Sequence, residues 1–427
     1  MITIGPEKFK DIEVKFIKLL YEFRALTVEQ IGRLFYPFEN RPLTKLSYQY
    51  RCLSNLTKRG FVVSTLLPND SKTKLYYLTP TGIDKAKGFL EIYPGQAGDG
   101  FYTQGDFDYN LIQPPQKNIY HHMLATDSFV SVEEFNSLIP TMPIQWRDNR
   151  YASEVWESED KEKRFRPDGE LLIHGNRVVL EADRATEKVS ALTEKFEGYY
   201  RYFKYLEETN QSERIPKAVV FILETPTNSF HHHIRWNTVT DKWNKSIGEY
   251  EKKVRLFTTS KDEFSSFLRD YDYFTQSRNR EVIAKAVFEQ RAVHYTDKID
   301  FFNTGDIKAC PYDTIVGVEY ITNTMFWLAE RPGLEPFARF ENMLEWVKTY
   351  SAANPTLSIS RFVPIFISIS GVPNTKEFPF AFVLETDQEQ SSLIWHLFQN
   401  GKEIPISNTG PWHRWDELNI PNNVYSE

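Results

Sequence analysis

Residues 165–183 of the chain read Phe-Arg-Pro-Asp-Gly-Glu-Leu-Leu-Ile-His-Gly-Asn-Arg-Val-Val-Leu-Glu-Ala-Asp. Their alternation with a period of two indicates β-strands, and the central Gly175-Asn176 is typical of a two-residue hairpin turn. Because successive side chains of a strand point to opposite faces, one face of this hairpin is small or apolar. That face consists of Gly169, Leu171, Ile173, Val178, Leu180 and Ala182.

The opposite face of the predicted hairpin is acidic. A turn at Gly175-Asn176 places Glu170 opposite Glu181 and Asp168 opposite Asp183. Like charges directly across a hairpin repel each other, so four carboxylates call for a compensating cation. One alternative is a hard divalent metal held by oxygen ligands, Mg²⁺ or Mn²⁺. Another is a basic side chain from the neighbouring sequence: Arg166, Arg184, Lys188 or Lys195. A solvated acidic face, whose repulsion water screens, is the interpretation without a site.

The composition is that of a protein made of several domains. The chain has 427 residues, of which 41% are hydrophobic and 26% charged, with a formal net charge of −7. This length exceeds what a single core usually supports, so two or three domains are expected. Cys52 and Cys310 are the only cysteines, which excludes a disulfide framework and a thiolate metal site. With no signal peptide and no apolar run of membrane-spanning length, we expect a cytoplasmic protein without membrane contact.

Residues 1–92 carry the pattern of a winged helix-turn-helix domain. Three helical segments are followed by two short strands around a polar turn, and Thr27 with Gln30 forms a capping box at the second helix. The third helix is predicted to begin near Thr44, to end at Gly60 and to turn Leu46, Tyr50, Leu53 and Leu56 inward. Residues 41–74 include seven Lys or Arg and one acidic residue, so double-stranded DNA is the predicted partner.

The predicted DNA contacts fall into two groups. The third helix would present Lys45, Ser47, Tyr48, Gln49, Arg51 and Asn55 to the major groove. The phosphate contacts would come from Lys58, Arg59, Lys72 and Lys74. The alternative is a winged helix used for protein contact, including contact with a second copy in a homodimer.

Three further segments complete the predicted organisation. Residues 93–117 are rich in Gly and Pro and are predicted to be a linker or a surface loop. Residues 118–278 give the order helix, hairpin, helix, strand, helix, strand, which predicts a mixed sheet with flanking helices. Residues 279–427 are predicted to be an α/β extension rich in aromatic residues and without a motif tied to chemistry. The fold class expected overall is mixed α/β or α+β.

Pro167-Asp168 followed by Glu181-Ala182-Asp183 on the next strand resembles the PD-(D/E)xK nuclease superfamily. The resemblance implies a restriction-endonuclease-like sheet in which Asp168 and Glu181 hold Mg²⁺, with Asp183 as a further metal ligand. The superfamily has Lys two positions after the Glu, where this chain has Asp183. Lys188 or Lys195 would have to supply that positive charge.

Residues 10–260 resemble the replication-relaxation family of bacterial plasmids and mobile elements. The shared features include Tyr-Tyr-Leu-Thr-Pro-Thr-Gly at 76–82, His122 before the hairpin, Leu-Glu-Ala-Asp-Arg-Ala-Thr-Glu at 180–187 and Lys-Phe-Glu-Gly-Tyr at 195–199. The resemblance implies a role in DNA replication, nicking or copy control. Two hypotheses follow from it. One is a metal-dependent DNA nickase or endonuclease, and the other is a non-enzymatic replication or transcription regulator with a degenerate nuclease-like domain.

Three other features do not change this interpretation. The His231-His232-His233 run is predicted to be a loop cluster with incidental metal affinity. Tyr199 is predicted to lie in the core and Cys52 to be a packing residue. No Gly-rich phosphate-binding loop followed by Lys-Ser or Lys-Thr occurs, so no nucleotide cofactor is expected.

Overall fold

The computed structural model describes residues 2–4, 7–37, 43–68, 70, 72–140, 142–158, 161–185, 188–224, 230–275, 282, 284–285, 287–289, 294–296, 315–320, 323–330, 337–353, 359–368, 378–386 and 393–405. They divide into two compact units, residues 1–184 and 185–427. The fold is mixed α and β with several sheets, as predicted. The four predicted domain segments have other boundaries than these two units and stay predictions.

The first unit begins with the elements predicted for the N-terminal domain. A short pair of antiparallel strands precedes four helices and three more strands. Their bounds are β1 Ile2–Ile4, β2 Glu7–Phe9, α1 Asp11–Glu22, β3 Ala25–Thr27, α2 Val28–Phe35, α3 Leu43–Lys58, β4 Val62–Leu66, β5 Lys74–Leu78 and α4 Pro80–Phe89. Strand β3 joins the predicted hairpin, and the three strands run antiparallel in the order β3-β5-β4.

Local sequence determines where these helices begin. The Thr27 side chain accepts a hydrogen bond from the Gln30 backbone, and the Gln30 side chain accepts one from the Thr27 backbone, so the predicted capping box at α2 is confirmed. Thr79 caps α4 through the Gly82 backbone, and Pro80 occupies the first turn as predicted. Tyr50 was predicted to point inward, and this is wrong because its side chain is 49% exposed.

The rest of the first unit surrounds a short antiparallel sheet. Its elements are α5 Tyr109–Ile112, α6 Ile119–Leu138, β6 Gln145–Asp148, α7 Asn149–Ala152, β7 Glu154–Ser158, β8 Lys161–Phe165, β9 Gly169–Ile173 and β10 Asn176–Asp183. Strand β9 lies between β6 and β10 and pairs antiparallel with both. Helix α6 covers one face, where Phe129 stacks on Trp146 with ring centroids 4.5 Å apart. At Gly169 a Cβ atom would lie 2.4 Å from Cζ of Phe129, so the helix approaches the strand closely there.

The hairpin β9–β10 forms, but its predicted turn and register are wrong. The two turn residues are His174 and Gly175, with φ of 48° and 78°. Consequently Glu170 pairs with Val179, two residues away from the predicted partner Glu181. Because the shift is two residues, the predicted division into an apolar and an acidic face is unchanged.

The predicted linker is an ordered part of the first unit. The Tyr21 hydroxyl donates a hydrogen bond to the Gly105 carbonyl (2.7 Å), and the Tyr151 hydroxyl accepts one from the Gly105 backbone (2.8 Å). The stretch therefore packs as a surface loop, which was the second of the two predicted forms.

The second unit begins with a parallel strand pair and its helices. The elements are α8 Val189–Glu208, β11 Ala218–Leu223, α9 Phe230–Ser246, β12 Arg255–Ser260 and α10 Phe264–Thr275. All six residues of β11 are buried, as the apolar run predicted, and β11 pairs with β12 in parallel. Tyr199 is buried as predicted. His231 to His233 lie in the first turn of α9 and not in a loop, so that prediction is wrong.

A seven-stranded sheet forms the C-terminal part of the second unit. Its elements are β13 His294–Thr296, β14 Ile315–Glu319, β15 Thr324–Glu330, α11 Phe337–Ala353, β16 Arg361–Ser368, β17 Phe380–Thr386, β18 Leu393–Gln399 and β19 Lys402–Ile404. The strands follow chain order, and β15-β16-β17 are parallel. The sequence from Thr314 to Leu328 predicts one strand, but its described residues belong to the antiparallel pair β14–β15. Among the described helices, none is both long and apolar enough to span a bilayer.

Candidate functional site

Glu170, on the acidic face of the hairpin, is neutralised by two arginines. Both oxygens of Glu170, whose residue is 0% exposed, are bound by guanidinium groups. Nε of Arg147 donates to Oε2 over 2.7 Å, and Nη2 of Arg177 donates to Oε1 over 2.5 Å. For Glu170 the compensating charge is therefore basic, and it comes from Arg147 and Arg177, which were not among the four predicted basic residues.

Two further carboxylates of this face are also inaccessible to bulk water. Glu181 is 0% and Asp183 is 2% exposed, and both interact with neighbouring groups. Their position follows from the alternation along β10, which puts them on the same face as Arg177. The interpretation as a solvated acidic face is therefore wrong.

Asp168 lies just before β9 and has a different environment. Its backbone N–H donates to the Leu180 carbonyl (3.1 Å), and its Oδ2 accepts a hydrogen bond from the Ala182 N–H (2.9 Å). Its Oδ1 lies 2.7 Å from Nε2 of His121, in the first turn of α6. The end of β10 thus holds this carboxylate in place against a partly exposed histidine.

The Asp168–His121 pair lines a cavity of about 250 Å³ within the first unit. The walls come from the end of α1, the first turns of α6 and the end of β6. Its polar lining residues are Glu22, Arg24, Asn118, His121, His122, Thr126, Asp148, Asn149 and Asp168. Of the four predicted hairpin carboxylates, all of them described, Asp168 is the one in this wall.

The ionisable groups around the cavity differ in their pairing and charge. Nε of Arg150 lies 2.8 Å from Oδ2 of Asp148, and the same guanidinium donates to the carbonyls of Tyr21 and Glu22 at the end of α1. Burial, and then the charges of Arg24 and Arg150, lower the pKa of His122 to about 3. His122 is therefore neutral at physiological pH.

Two acids next to the cavity keep their protons more tightly than usual. Burial, and then repulsion from Glu133, raise the pKa of Glu22 to about 7. Burial also raises the pKa of Glu133, against a hydrogen bond from Nε1 of Trp146 that is 2.6 Å long and lowers it. The sequence analysis named neither residue, because they lie on different helices and come together only through the fold.

Helix α6 also carries a polar interface with α2. Nε2 of Gln30 donates to Oδ1 of Asp127 over 2.7 Å. The Arg33 guanidinium donates to Oε2 of Glu134 over 2.6 Å and to Ser131 over 2.8 Å. The helix that shapes the cavity is therefore bound to the second helix of the N-terminal part.

The predicted DNA-contact residues are only partly on the surface. Gln49 is 0% exposed, so the prediction that α3 presents it to the major groove is wrong. Its position falls on the buried side of the helix, together with Leu53 and Leu56. Lys45 lies in α3, but its side chain is outside the described residues. The exposed members are Ser47, Tyr48, Arg51, Asn55, Lys58, Lys72 and Lys74.

Two predicted contacts on this surface also have partners inside the protein. Nδ2 of Asn55 donates to Oε1 of Glu13 over 2.6 Å. The Arg59 guanidinium lies 3.3 Å from the same carboxylate and over the rings of Phe9 and Phe61. Arg59 therefore joins α3 to α1 and is only half-exposed.

The remaining predicted site residues belong to the second unit. Lys188 is exposed at the N-cap of α8, and Nζ of Lys195 lies 6.0 Å from the ring centroid of Phe221. Within the described parts of the chain, no three His, Cys, Asp or Glu side chains come together as a metal site. Glu170 does not fit as a metal ligand, because arginines bind both its oxygens. Metal binding by Asp168, Glu181 and Asp183 stays a prediction.

Comparison with known proteins supports the resemblance found in the sequence. Residues 17–217 match the family described as Replication-relaxation, a little under half of the chain. No curated protein and no solved structure gives a match. The match supports the family prediction over these residues.

Proposed function

Because residues 17–217 match the replication-relaxation family, we propose that this protein binds double-stranded DNA and acts in the replication or relaxation of a plasmid or other mobile element. The family match is the observation that carries the proposal. The proposed DNA-binding module is a winged helix-turn-helix made of α1 to α3 and the β4–β5 hairpin. Its element order agrees with that of such domains, in which the third helix enters the major groove.

The exposed cations of this module support duplex DNA as the ligand. Arg51 on α3, Lys58 at its end, and Lys72 and Lys74 at the hairpin are all exposed. Exposed Lys and Arg bind phosphates and release condensed counterions, which gives binding a steep salt dependence. The net charge of −7 restricts this attraction to a local surface, so a defined contact is favoured over general polyanion binding.

The proposal is tested by DNA binding of the full chain between 50 and 200 mM salt. The triple variant Lys58→Ala, Lys72→Ala, Lys74→Ala should reduce the slope of log K against log salt by about 2.7, since each phosphate contact contributes about 0.9. The matched control replaces three exposed lysines of the second unit, Lys204, Lys245 and Lys402, with Ala and should leave the slope unchanged. Equal slopes for the wild type and both variants would refute the proposed surface.

DNA nicking at the hairpin is the second candidate function. It is favoured by the position of Asp168, held in a cavity wall against His121. A bound Mg²⁺, if Asp168, Glu181 and Asp183 hold it, would activate water and stabilise charge on the scissile phosphate.

The nicking assay uses supercoiled plasmid with Mg²⁺ or Mn²⁺. The isosteric variants Asp168→Asn and Glu181→Gln remove the negative charges without removing volume. Loss of nicking in both variants, with DNA binding retained, would support the enzyme. No nicking by the wild type would leave the non-enzymatic replication or transcription regulator as the function, and undiminished nicking by the variants would exclude the proposed active site.

A further inference from the structure

Arg24 is a buried cation without a carboxylate of its own. It is 8% exposed, and no acidic side chain of the described residues lies within ion-pair distance of its guanidinium. Nη2 donates to the Gln113 carbonyl over 2.9 Å, and Nη1 lies 3.5 Å from Oδ1 of Asn149. Nε is buried with no hydrogen-bond partner in the described part of the chain. A buried guanidinium with unused donors is costly unless an anion accepts them.

The backbone at Arg24 is also in a conformation that arginine rarely adopts. Its φ is 67°, in the left-handed region where residues other than Gly, Asn and Asp are uncommon. A glycine would relieve this strain, so the fold accommodates the arginine side chain against the local backbone preference. Such outliers concentrate at ligand sites, where the surrounding structure holds them in place.

The carboxylates in the cavity wall bind other groups, so they do not serve as the anion that pairs with Arg24. Asp148 attracts Arg24 at a distance, but its oxygens are bound by the Nε of Arg150. Asp168 is bound by His121 and by the Ala182 backbone. Among the described residues, no carboxylate therefore pairs directly with the guanidinium of Arg24 in this wall.

The first turn of α6 adds hydrogen-bond donors to the same cavity. Asn118, His121 and His122 line it, and no side chain caps this end of the 20-residue helix. The amino end of a helix carries a partial positive charge, which favours an anion. A volume of about 250 Å³ is below the ~300 Å³ typical of pockets for drug-sized ligands, so it suits one small charged group.

We propose that this cavity binds a single phosphate group, free or as an ester, with Arg24 as the anion anchor and the first turn of α6 as the second source of donors. Guanidinium groups bind phosphate through paired N–H donors, and low exposure strengthens such charge-assisted bonds. The site is separate from the exposed cations of α3 and of the β4–β5 hairpin. It does not rest on the proposed function, because the cavity would bind phosphate whether or not α3 contacts DNA.

Binding is measured on the full chain by isothermal titration at constant ionic strength with three probes: inorganic phosphate, thymidine monophosphate and a 5′-phosphorylated thymidine dinucleotide. Saturable binding of at least one probe is expected. Affinity for a nucleotide at least tenfold above that for inorganic phosphate would identify a nucleotide or DNA strand end as the source, and equal affinity would identify free phosphate. No saturable binding of any probe at millimolar concentration overturns the proposal.

Two variants assign the binding to this cavity. Arg24→Gln should lower the affinity at least about tenfold, because charge-assisted bonds are lost. Arg201→Gln, an exposed arginine on α8, is the matched control and should change nothing. Ala125→Phe fills the cavity without touching the bonds of Arg24, so it decides the question if Arg24→Gln does not fold. Wild-type affinity in a folded Arg24→Gln or Ala125→Phe protein would place the phosphate elsewhere.

Discussion

The raised pKa of Glu22 gives a stability effect of predictable sign and size. The shift from 4.5 to about 7 is caused by burial and by repulsion from Glu133. The folded state therefore holds this proton more tightly than the unfolded state does. Stability from this group is complete below the unfolded pKa of 4.5 and falls as the pH rises through about 7.

The magnitude follows from the width of that window. A shift of about 2.5 pKa units corresponds to about 3 kcal/mol of unfolding free energy, at about 1.4 kcal/mol per unit. Between pH 5 and pH 8.5, about 2.5 kcal/mol of this should be lost. Glu22 lines two cavities, and water in them reduces the penalty for ionisation, so these figures are upper values.

Glu22→Gln tests this reasoning, because glutamine has the same shape and stays neutral. Relative to the wild type, the variant should gain up to about 2.5 kcal/mol as the pH rises from 5 to 8.5, measured by urea unfolding of the full chain. Glu194→Gln, at an exposed position on α8, is the control and should give no such trend. Glu133→Gln should weaken the trend in a protein that retains Glu22. A pH-independent difference between wild type and Glu22→Gln would show that Glu22 ionises normally.

Two further predictions concern residues that hold the secondary-structure elements around the site in place. Gly169→Ala should destabilise the protein by about 1–3 kcal/mol in urea unfolding, because the new Cβ would lie 2.4 Å from Cζ of Phe129. Gly198→Ala in α8, whose Cβ would meet nothing closer than 3.9 Å, should be neutral or stabilising by up to about 1 kcal/mol, and equal effects at the two glycines would contradict the close approach. Thr27→Ala should cost about 1 kcal/mol through loss of the cap on the Gln30 backbone, and Thr27→Ser should restore most of it; a silent Thr27→Ala would show that the cap is not needed.

Local sequence signals predicted the elements of the first unit well. The capping box at Thr27 and the proline at residue 80 place two helices, because hydrogen bonds and steric limits within a few residues decide where a helix begins. Strand β5, one of the two predicted strands, runs from Lys74 to Leu78, since polar turn residues precede it and a capped helix follows. These signals are contained within short stretches of chain.

The hairpin register failed for a physical reason that is also local. Gly175 occupies the second turn position, where a turn with two left-handed residues favours glycine, and His174 takes the first. Histidine enters the left-handed region more often than most residues do, so His174-Gly175 competes with Gly175-Asn176. The apolar pattern could not separate the two registers, because a shift of two residues leaves every side chain on its face.

The site itself depends on contacts between residues that are separated in the sequence. Arg177 stands within the quoted hairpin, and its even spacing from Glu181 puts it on the acidic face, so its role could have been inferred. Arg147 reaches Glu170 only because β6 pairs with β9 across more than twenty residues of chain. Arg24 was missed because its importance lies in burial and an unused donor, which composition and spacing do not reveal.

Helix α6 restricts where DNA can bind on the first unit. Its middle turns use Asp127 and Glu134 to bind Gln30 and Arg33, so these polar groups of α2 are already satisfied inside the protein. A phosphate could bind Arg33 only by breaking its ion pairs with two buried carboxylates, which costs more than an exposed contact returns. This agrees with the proposed DNA contact on α3 and the β4–β5 hairpin. His121 and Glu134 lie on this same helix, about 20 Å apart at a rise of about 1.5 Å per residue. One rigid helix therefore supports both the contact with α2 and the cavity.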